Sequence, residues 1–304
     1  MIMTEITIWD VQHGSAAYIK APNGRHIIVD VGMGSYENGA DFSPLYHLWK
    51  NYDVKQIDLA ILTHPHRDHL DDIDNLTKLN PKVIRFPKHL TRNDIITSQT
   101  KQSDIPIYEK YLTLQEHNAP KFDNRESILD YAKRVSEWHK KNDLKNLDNF
   151  GGLQIQTFRA KSCATSNLNN QSILSVFTFA TSKIVICGDN ESASYNELLQ
   201  QTDFKNAIQN ADVLVASHHG RASGFHNEFV QLVNPQITVI SDSSKKDTSV
   251  VADYGRISQG WKVFSRTDNS SQQRNTVSTY HDGVVHIKMG YNNNSRPFLE
   301  ITKK

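Results

Sequence analysis

Three apolar runs in this chain stop abruptly in side chains that bind metal ions: LAILTHPHRDHL at 59–70, TSKIVICGD at 181–189 and DVLVASHHG at 212–220. The segment 56–62 lacks the polar alternation of a half-solvated strand, so it reads as a strand buried on both faces. In sheets that alternate with helices, the functional crevice opens at the carboxyl ends of the strands. Three strand ends bearing His or Asp are therefore expected to meet at one place, which limits the chain to folds that supply such an edge.

The first of these ends is the densest. His64, His66, Asp68 and His69 put four ligand-type side chains into six residues. Along an extended loop alternate residues point the same way, so His64 and His66 are expected to hold one ion, while Asp68 and His69, past the bend, face a second. A polar surface loop is the bland alternative, and it gives no reason for this spacing. Asp189 is the natural bridging carboxylate, because one short acid between two cations offers an oxygen to each. His219 is the expected ligand of the second ion. His218 is left either outside the ligand shell or in contact with substrate. The acidic residues at 71–74 are read as favouring a helix N-terminus rather than as ligands.

Short strands separated by turn chemistry open the chain at 6–11, 17–19 and 26–31, and a further strand is expected at 83–86. A polar stretch over 87–149, with a helix around 127–141, reads as a helical insertion, a cap or an arm, within one domain spanning 1–304. Strand signals return at 153–158, 173–179, 183–187, 213–216 and 237–240, with a helix over 194–200, and the class is α/β. With 304 residues, 38% of them apolar, the chain can bury a sizeable core. Lys and Arg total 34 against 33 Asp and Glu, so bulk charge gives no reason to invoke nucleic-acid or membrane binding. Two cysteines without a disulfide pattern, no signal-peptide-like start and no apolar run of membrane-spanning length lead to an expected cytoplasmic location and no membrane partner. Cys187 is expected to pack in a strand, and Cys163 lies in a loop.

Beyond spacing, DVQHGSA at 10–16, IIVDVG at 27–32, THPHRDH at 63–69, NNQSIL at 169–174, ICGDNE at 186–191 and SHHGRAS at 217–223 resemble the metallo-β-lactamase superfamily, and within it the hydrolase domain of the ComEC/Rec2-type competence proteins. The resemblance covers the chain outside the insertion. It implies a four-layer αββα sandwich with metals in a groove at one edge, and nuclease or phosphodiesterase activity. Two departures stand out. The superfamily's isolated histidine before the bridging Asp is absent, since this chain has no histidine between His139 and His218. Asn169, Asn170 and Cys163 are the nearby candidates to complete that ion's shell, besides water or substrate. The competence-type Gly-Gln-Gly-Asp is here Gln12, His13, Gly14 and Ser15, which puts His13 either beside the metals or simply in a turn.

The chemistry expected of such a centre is hydrolysis of DNA, RNA or a small cyclic oligonucleotide by hydroxide formed at one or two divalent ions, Zn2+ or Mn2+. Asp68 and His218 are the expected proton-handling residues. His13, Asn170, Arg221 and Ser223 are the expected substrate contacts. A basic stretch in the insertion, KRVSEWHKKNDLK with Trp138, suits either a solvated face or a strand track. Two rival functions remain open at this level: hydrolysis of a lactone, thioester or amide, and a non-catalytic metal-binding scaffold in a competence or defence complex. A homodimer through the insertion, using Ile128, Leu129 and Val135, is a further expectation.

Overall fold

A computed structural model describes residues 1–36, 38–243 and 249–304. Among these residues two sheets lie face to face. The first has nine strands in the order Ser270–Arg274, Trp261–Ser265, Pro297–Lys303, Val285–Tyr291, Ile2–Ile8, Ala16–Lys20, His26–Val31, Leu59–Ile61 and Val83–Arg85. The second has six, in the order Thr276–Ser278, Ile237–Ile240, Val213–Val215, Ser182–Ile186, Leu174–Phe179 and Gln154–Phe158. The inner faces carry branched and aromatic side chains, among them Ile6, Ile19, Val29, Ile61, Phe177, Ile184 and Val239, which pack into one central core.

Helices cover both outer faces. Leu45 and Leu48 of Pro44–Tyr52, and Ile73 and Leu76 of Ile73–Lys78, pack on the first sheet. Tyr195 and Leu198 of Ser192–Leu198, Phe204 of Thr202–Ile208, and Phe229 of Asn227–Val233 pack on the second. Three apolar layers between four layers of secondary structure make this an αββα sandwich, as the resemblance implies. Each buried aliphatic or aromatic side chain contributes about 1.5–3 kcal/mol, so all three layers add to stability, the central one being the largest.

Pairing registers set where the strands end. His26–Val31, Leu59–Ile61 and Val83–Arg85 run parallel, and so do Ser182–Ile186, Val213–Val215, Ile237–Ile240 and Thr276–Ser278. Ile2–Ile8 points the same way as His26–Val31, because both run antiparallel to Ala16–Lys20. The loops after Ile8, Ile61, Ile186 and Val215 carry His13, His64 to His69, Asp189, and His218 with His219. Thr63 and residue 173 tie the two sheets together at this edge, Ile173 N–H donating to the Thr63 carbonyl at 3.0 Å.

Residues 87–149 divide in two. Leu90, Ile95, Tyr108 and Tyr111 are buried against the outer face of the first sheet, with helices Arg92–Ile95 and Ile105–Leu112. Helix Ile128–Lys141 instead has no fully buried residue and reaches the core through Trp138, with Leu144 just beyond it. Ser127 caps it, accepting from Asp130 N–H at 3.1 Å, and the basic last turn of His139, Lys140 and Lys141 complements the helix dipole. Ile128 and Leu129 are each 79% exposed. No helix among the described residues is long and apolar enough to cross a membrane.

These placements separate two substitutions. Phe177→Ala, in the central core, is expected to lower unfolding free energy by about 3–5 kcal/mol in urea titrations. Ile128→Ala is expected to change it by less than about 0.5 kcal/mol. A loss at Phe177 as small as that at Ile128 would mean that the facing sheets are not closely packed.

Candidate metal centre

The loop after Leu59–Ile61 is shaped by a carboxylate from the neighbouring strand. Asp30, 2% exposed and in a left-handed conformation (φ 58°), accepts from Thr63 N–H at 2.7 Å and from Thr63 Oγ1 at 2.9 Å. His66 is extended, and a 3-10 turn over Arg67–His69 follows, closed by His69 N–H donating to the His66 carbonyl at 3.1 Å. The turn places the His69 ring 4.2 Å from that of His64, centroid to centroid. A Cβ on Gly32 would stand 2.5 Å from the Asp68 carbonyl oxygen, so only glycine lets the ligand loop rest on this strand end. At the second sheet, Gly188 (φ 60°) turns the chain so that Asp189 N–H donates to Ser172 Oγ at 3.0 Å. His218 and His219 both adopt left-handed conformations, at φ 48° and 56°. Such residues cost about 1–3 kcal/mol each, and here the strain turns two adjacent imidazoles toward the same carboxylate.

Asp189 sits at the focus. His69 Nε2 lies 3.3 Å from its Oδ1; His219 Nε2 at 3.5 Å, His64 Nε2 at 3.8 Å and His218 Nε2 at 3.9 Å face its Oδ2. Asp68 Oδ2 is 3.4 Å from His219 Nε2 and 3.4 Å from His13 Nε2. His64 Nε2 and His66 Nδ1 share a hydrogen bond at 3.0 Å. Ligand atoms fall into three compact groups: His64, His66 and Asp189; His69, Asp189 and His219; and His13, Asp68 and His219.

Burial and charge act against each other here. Burial works to raise the Asp189 carboxyl, but the His219 and His69 rings overrule it and hold it well below the usual range. Burial likewise works to lower His69 and His219, yet Asp189, with Asp30 at His69 and Asp68 at His219, raises His69 well above the ordinary value and pushes His219 up to about 9. His64 goes the other way, lowered by burial and by the neighbouring His69 and His66. Among the described residues, the buried Nε2 atoms of His69 and His219 make no hydrogen bond of acceptable geometry. The carboxylate oxygens near them are close enough to attract but not aligned to accept. Two orphaned imidazole nitrogens aimed at buried carboxylates fit a divalent cation, and this nitrogen and oxygen donor set suits zinc, manganese or iron.

His64, His66, Asp68, His69, Asp189 and His219 thus come together. His13 joins them through Asp68. His218 turns its Nδ1 outward, 3.1 Å from Glu191 Oε1 and 2.8 Å from Ser223 Oγ. Arg221 lies between His13 and His218, with Nη2 3.3 Å from both His13 ring nitrogens and Nη1 3.5 Å from His218 Nε2. Asn170 has its side-chain oxygen committed to the start of helix Ser192–Leu198, accepting from Glu191 N–H at 3.1 Å and Ser194 N–H at 3.2 Å. Asn169 donates to Glu191 Oε1 at 3.1 Å, and Cys163 belongs to none of the three groups found among the described residues.

Sequence reasoning missed Asp30 and Glu191. Asp30 also holds His69 Nδ1 at 2.7 Å, leaving Nε2 to face Asp189. The available signal was a carboxylate inside the apolar run HIIVDV. A cleft of about 990 Å3, lined by Trp9, Gln12, Tyr36, Phe42, Tyr280 and Lys304 among others, takes in none of these ligand-type side chains.

Residues 9–94, which contain the His64 to His69 loop, match the family model described as the metallo-beta-lactamase superfamily. The αββα sandwich and this match make the chain similar to metallo-β-lactamase-fold proteins. The chain is 30% identical over 124 residues to a UPF0173 metal-dependent hydrolase of Sulfurisphaera tokodaii, covering 41% of this chain and 49% of that protein. It is 20% identical over 255 residues to ComE operon protein 3 of Bacillus subtilis, covering 78% of this chain and 28% of that one. The chain therefore spans about half of the first relative and under a third of the second. Among solved structures, the metallo-beta-lactamase fold protein YhfI from Bacillus subtilis aligns with 80% of this chain and 88% of its own, at 14% identity and a TM-score of 0.42. The resemblance to the superfamily and to the ComEC-type proteins holds.

Asp30 gives this site a test away from its ligands. Asp30→Asn keeps the shape but loses the charge that orients His69, and is expected to weaken Zn2+ affinity about 10- to 100-fold by calorimetry on the ion-free protein. Unchanged affinity would remove Asp30 from any role in setting the ligands.

Proposed function

We propose that the protein is a metal-dependent hydrolase that cleaves phosphodiesters in a nucleotide or nucleic-acid substrate. The observation that carries this reading is Asp189, one buried carboxylate shared between the His64 and His66 group and the His69 and His219 group. Such sharing suits a pair of ions acting on one phosphoryl centre. The similarity to a protein described as a metal-dependent hydrolase and to ComE operon protein 3 supports the same direction.

On this reading His64, His66 and Asp189 would hold one ion, and Asp68, His69, Asp189 and His219 the other. Divalent ions there would supply positive charge for a phosphoryl oxygen and would lower the pKa of water. The side chains do the rest. Asp68, less buried than Asp189, accepts the proton of the attacking water. Glu191 and Ser223 hold His218 Nδ1, so that Nε2 faces the centre and a proton carried there is balanced by the Glu191 carboxylate before passing to the leaving oxygen. Arg221 and Ser223 stand at the rim as phosphate contacts.

The deciding experiment supplies Zn2+ and Mn2+ separately to the purified protein with bis-p-nitrophenyl phosphate, single-stranded DNA, RNA and cyclic dinucleotides. Cleavage is expected with at least one of these, abolished by chelation and by Asp189→Ala, and reduced about 10²- to 10⁴-fold in kcat by His218→Ala. Ion binding with no diester cleaved would sink the phosphodiesterase reading and favour carbonyl hydrolysis or a scaffold.

A further inference from the structure

We infer that His13 is a ligand of the ion on the Asp68 and His219 side, so that this chain's two divalent-cation sites are unequal and that side fills first. The inference rests on the reading that the cluster holds ions, and goes beyond it by assigning a histidine that the spacing of the strand-end motifs does not include. Two donors, each about 2.05 Å from a tetrahedral ion, stand about 3.3 Å apart. His13 Nε2 to Asp68 Oδ2 is 3.4 Å, His219 Nε2 to Asp68 Oδ2 is 3.4 Å, and His69 Nε2 to Asp189 Oδ1 is 3.3 Å. On the other side, the His64 and His66 nitrogens are 3.0 Å apart and hydrogen-bonded to each other, while His64 Nε2 stands 3.8 Å from Asp189 Oδ2.

The backbone beneath His13 is braced to the same ligands. Ser15 N–H donates to the Asp68 carbonyl at 3.2 Å. Ser241 Oγ donates to the Gly14 carbonyl at 2.7 Å, and the Ser241 carbonyl lies 3.1 Å from His219 Nδ1. The loops carrying His13 and Asp68 are thus joined backbone to backbone, and the Ser241 hydroxyl and carbonyl link the His13 loop to the His219 ring. Arg221 Nη2 stands 3.3 Å from both His13 nitrogens, so an ion taken by Nε2 displaces the Arg221 contact at that atom. His219 belongs to both groups on this side, which draws on His13, Asp68, His69, Asp189 and His219, whereas the His64 side draws on three residues. The chain lacks a histidine between His139 and His218 but has one at position 13. The additional nitrogen therefore strengthens one site and leaves the other short of protein donors.

The test is Zn2+ titration of the ion-free full chain by calorimetry against a competing chelator. The wild type is expected to bind in two resolved steps. His13→Ala should weaken the tighter step at least about tenfold and spare the looser one, while His66→Ala should do the reverse. The Co2+ protein loaded with one equivalent should change its visible absorption in His13→Ala and not in His66→Ala. His13→Asn, with thermal melts of the ion-free proteins, guards against misfolding, and both position-13 variants should melt with the wild type. A tighter step unmoved in both, with only KM for a diester raised, would make His13 a substrate contact and overturn the inference alone. A wild type that binds no ion would overturn the hydrolase reading with it.

Discussion

A carboxylate buried where two sheets meet governs this molecule. Asp189 is 3% exposed, and an uncompensated charge taken that far out of water costs of order tens of kcal/mol in an apolar medium. The fold answers with imidazoles rather than with lysine or arginine. Imidazole accepts either a proton or a cation at the same nitrogen, so the charge around Asp189 is exchangeable where a guanidinium would have fixed it. The other features of the site serve that arrangement: Asp30 orients His69, Glu191 orients His218, Gly32 lets the Asp68 loop lie against the strand, and the strained pair at 218 and 219 turns two rings inward.

Much of this could be read from one dimension. The alternation of His64 and His66 and the turn before Asp68 and His69 are local, with a period of two broken by a bend, and local periodicity survives into structure. Parallel pairing puts the ends of Ser182–Ile186 and Val213–Val215 side by side, while the end of Leu59–Ile61 belongs to the other sheet and meets them across the sandwich. The sandwich class came from the resemblance together with the spacing of apolar runs, and the three apolar layers agree with it. The helix expected over 194–200 begins instead at Ser192, where Asn170 receives the first backbone donors.

What stayed hidden depends on contacts between distant parts of the chain. Asp30 and His69 are 39 positions apart, and Glu191 and His218 are 27 apart, so no window shows either pair. Asp30 looked like an interruption of a strand, and its meaning comes from a left-handed backbone that sequence does not print. Residues 87–149 likewise read as one polar stretch, yet Tyr108 and Tyr111 are buried in a core while Ile128 and Leu129 stand in solvent. Composition alone cannot say which apolar side chains find a neighbour.

One feature of the architecture carries a mechanical consequence. The ligand groups draw on both sheets, with His13 and the His64 to His69 loop on one side and Asp189, His218 and His219 on the other. Any ion bridging them is a fastener across the seam, acting in parallel with the central core. Anything that binds only the folded state raises its stability by RT ln(1 + [L]/Kd), about 2.7 kcal/mol at a hundredfold excess over the dissociation constant. With a cation held there, the stability of the whole sandwich would depend on that cation's free concentration and would report how full the seam is.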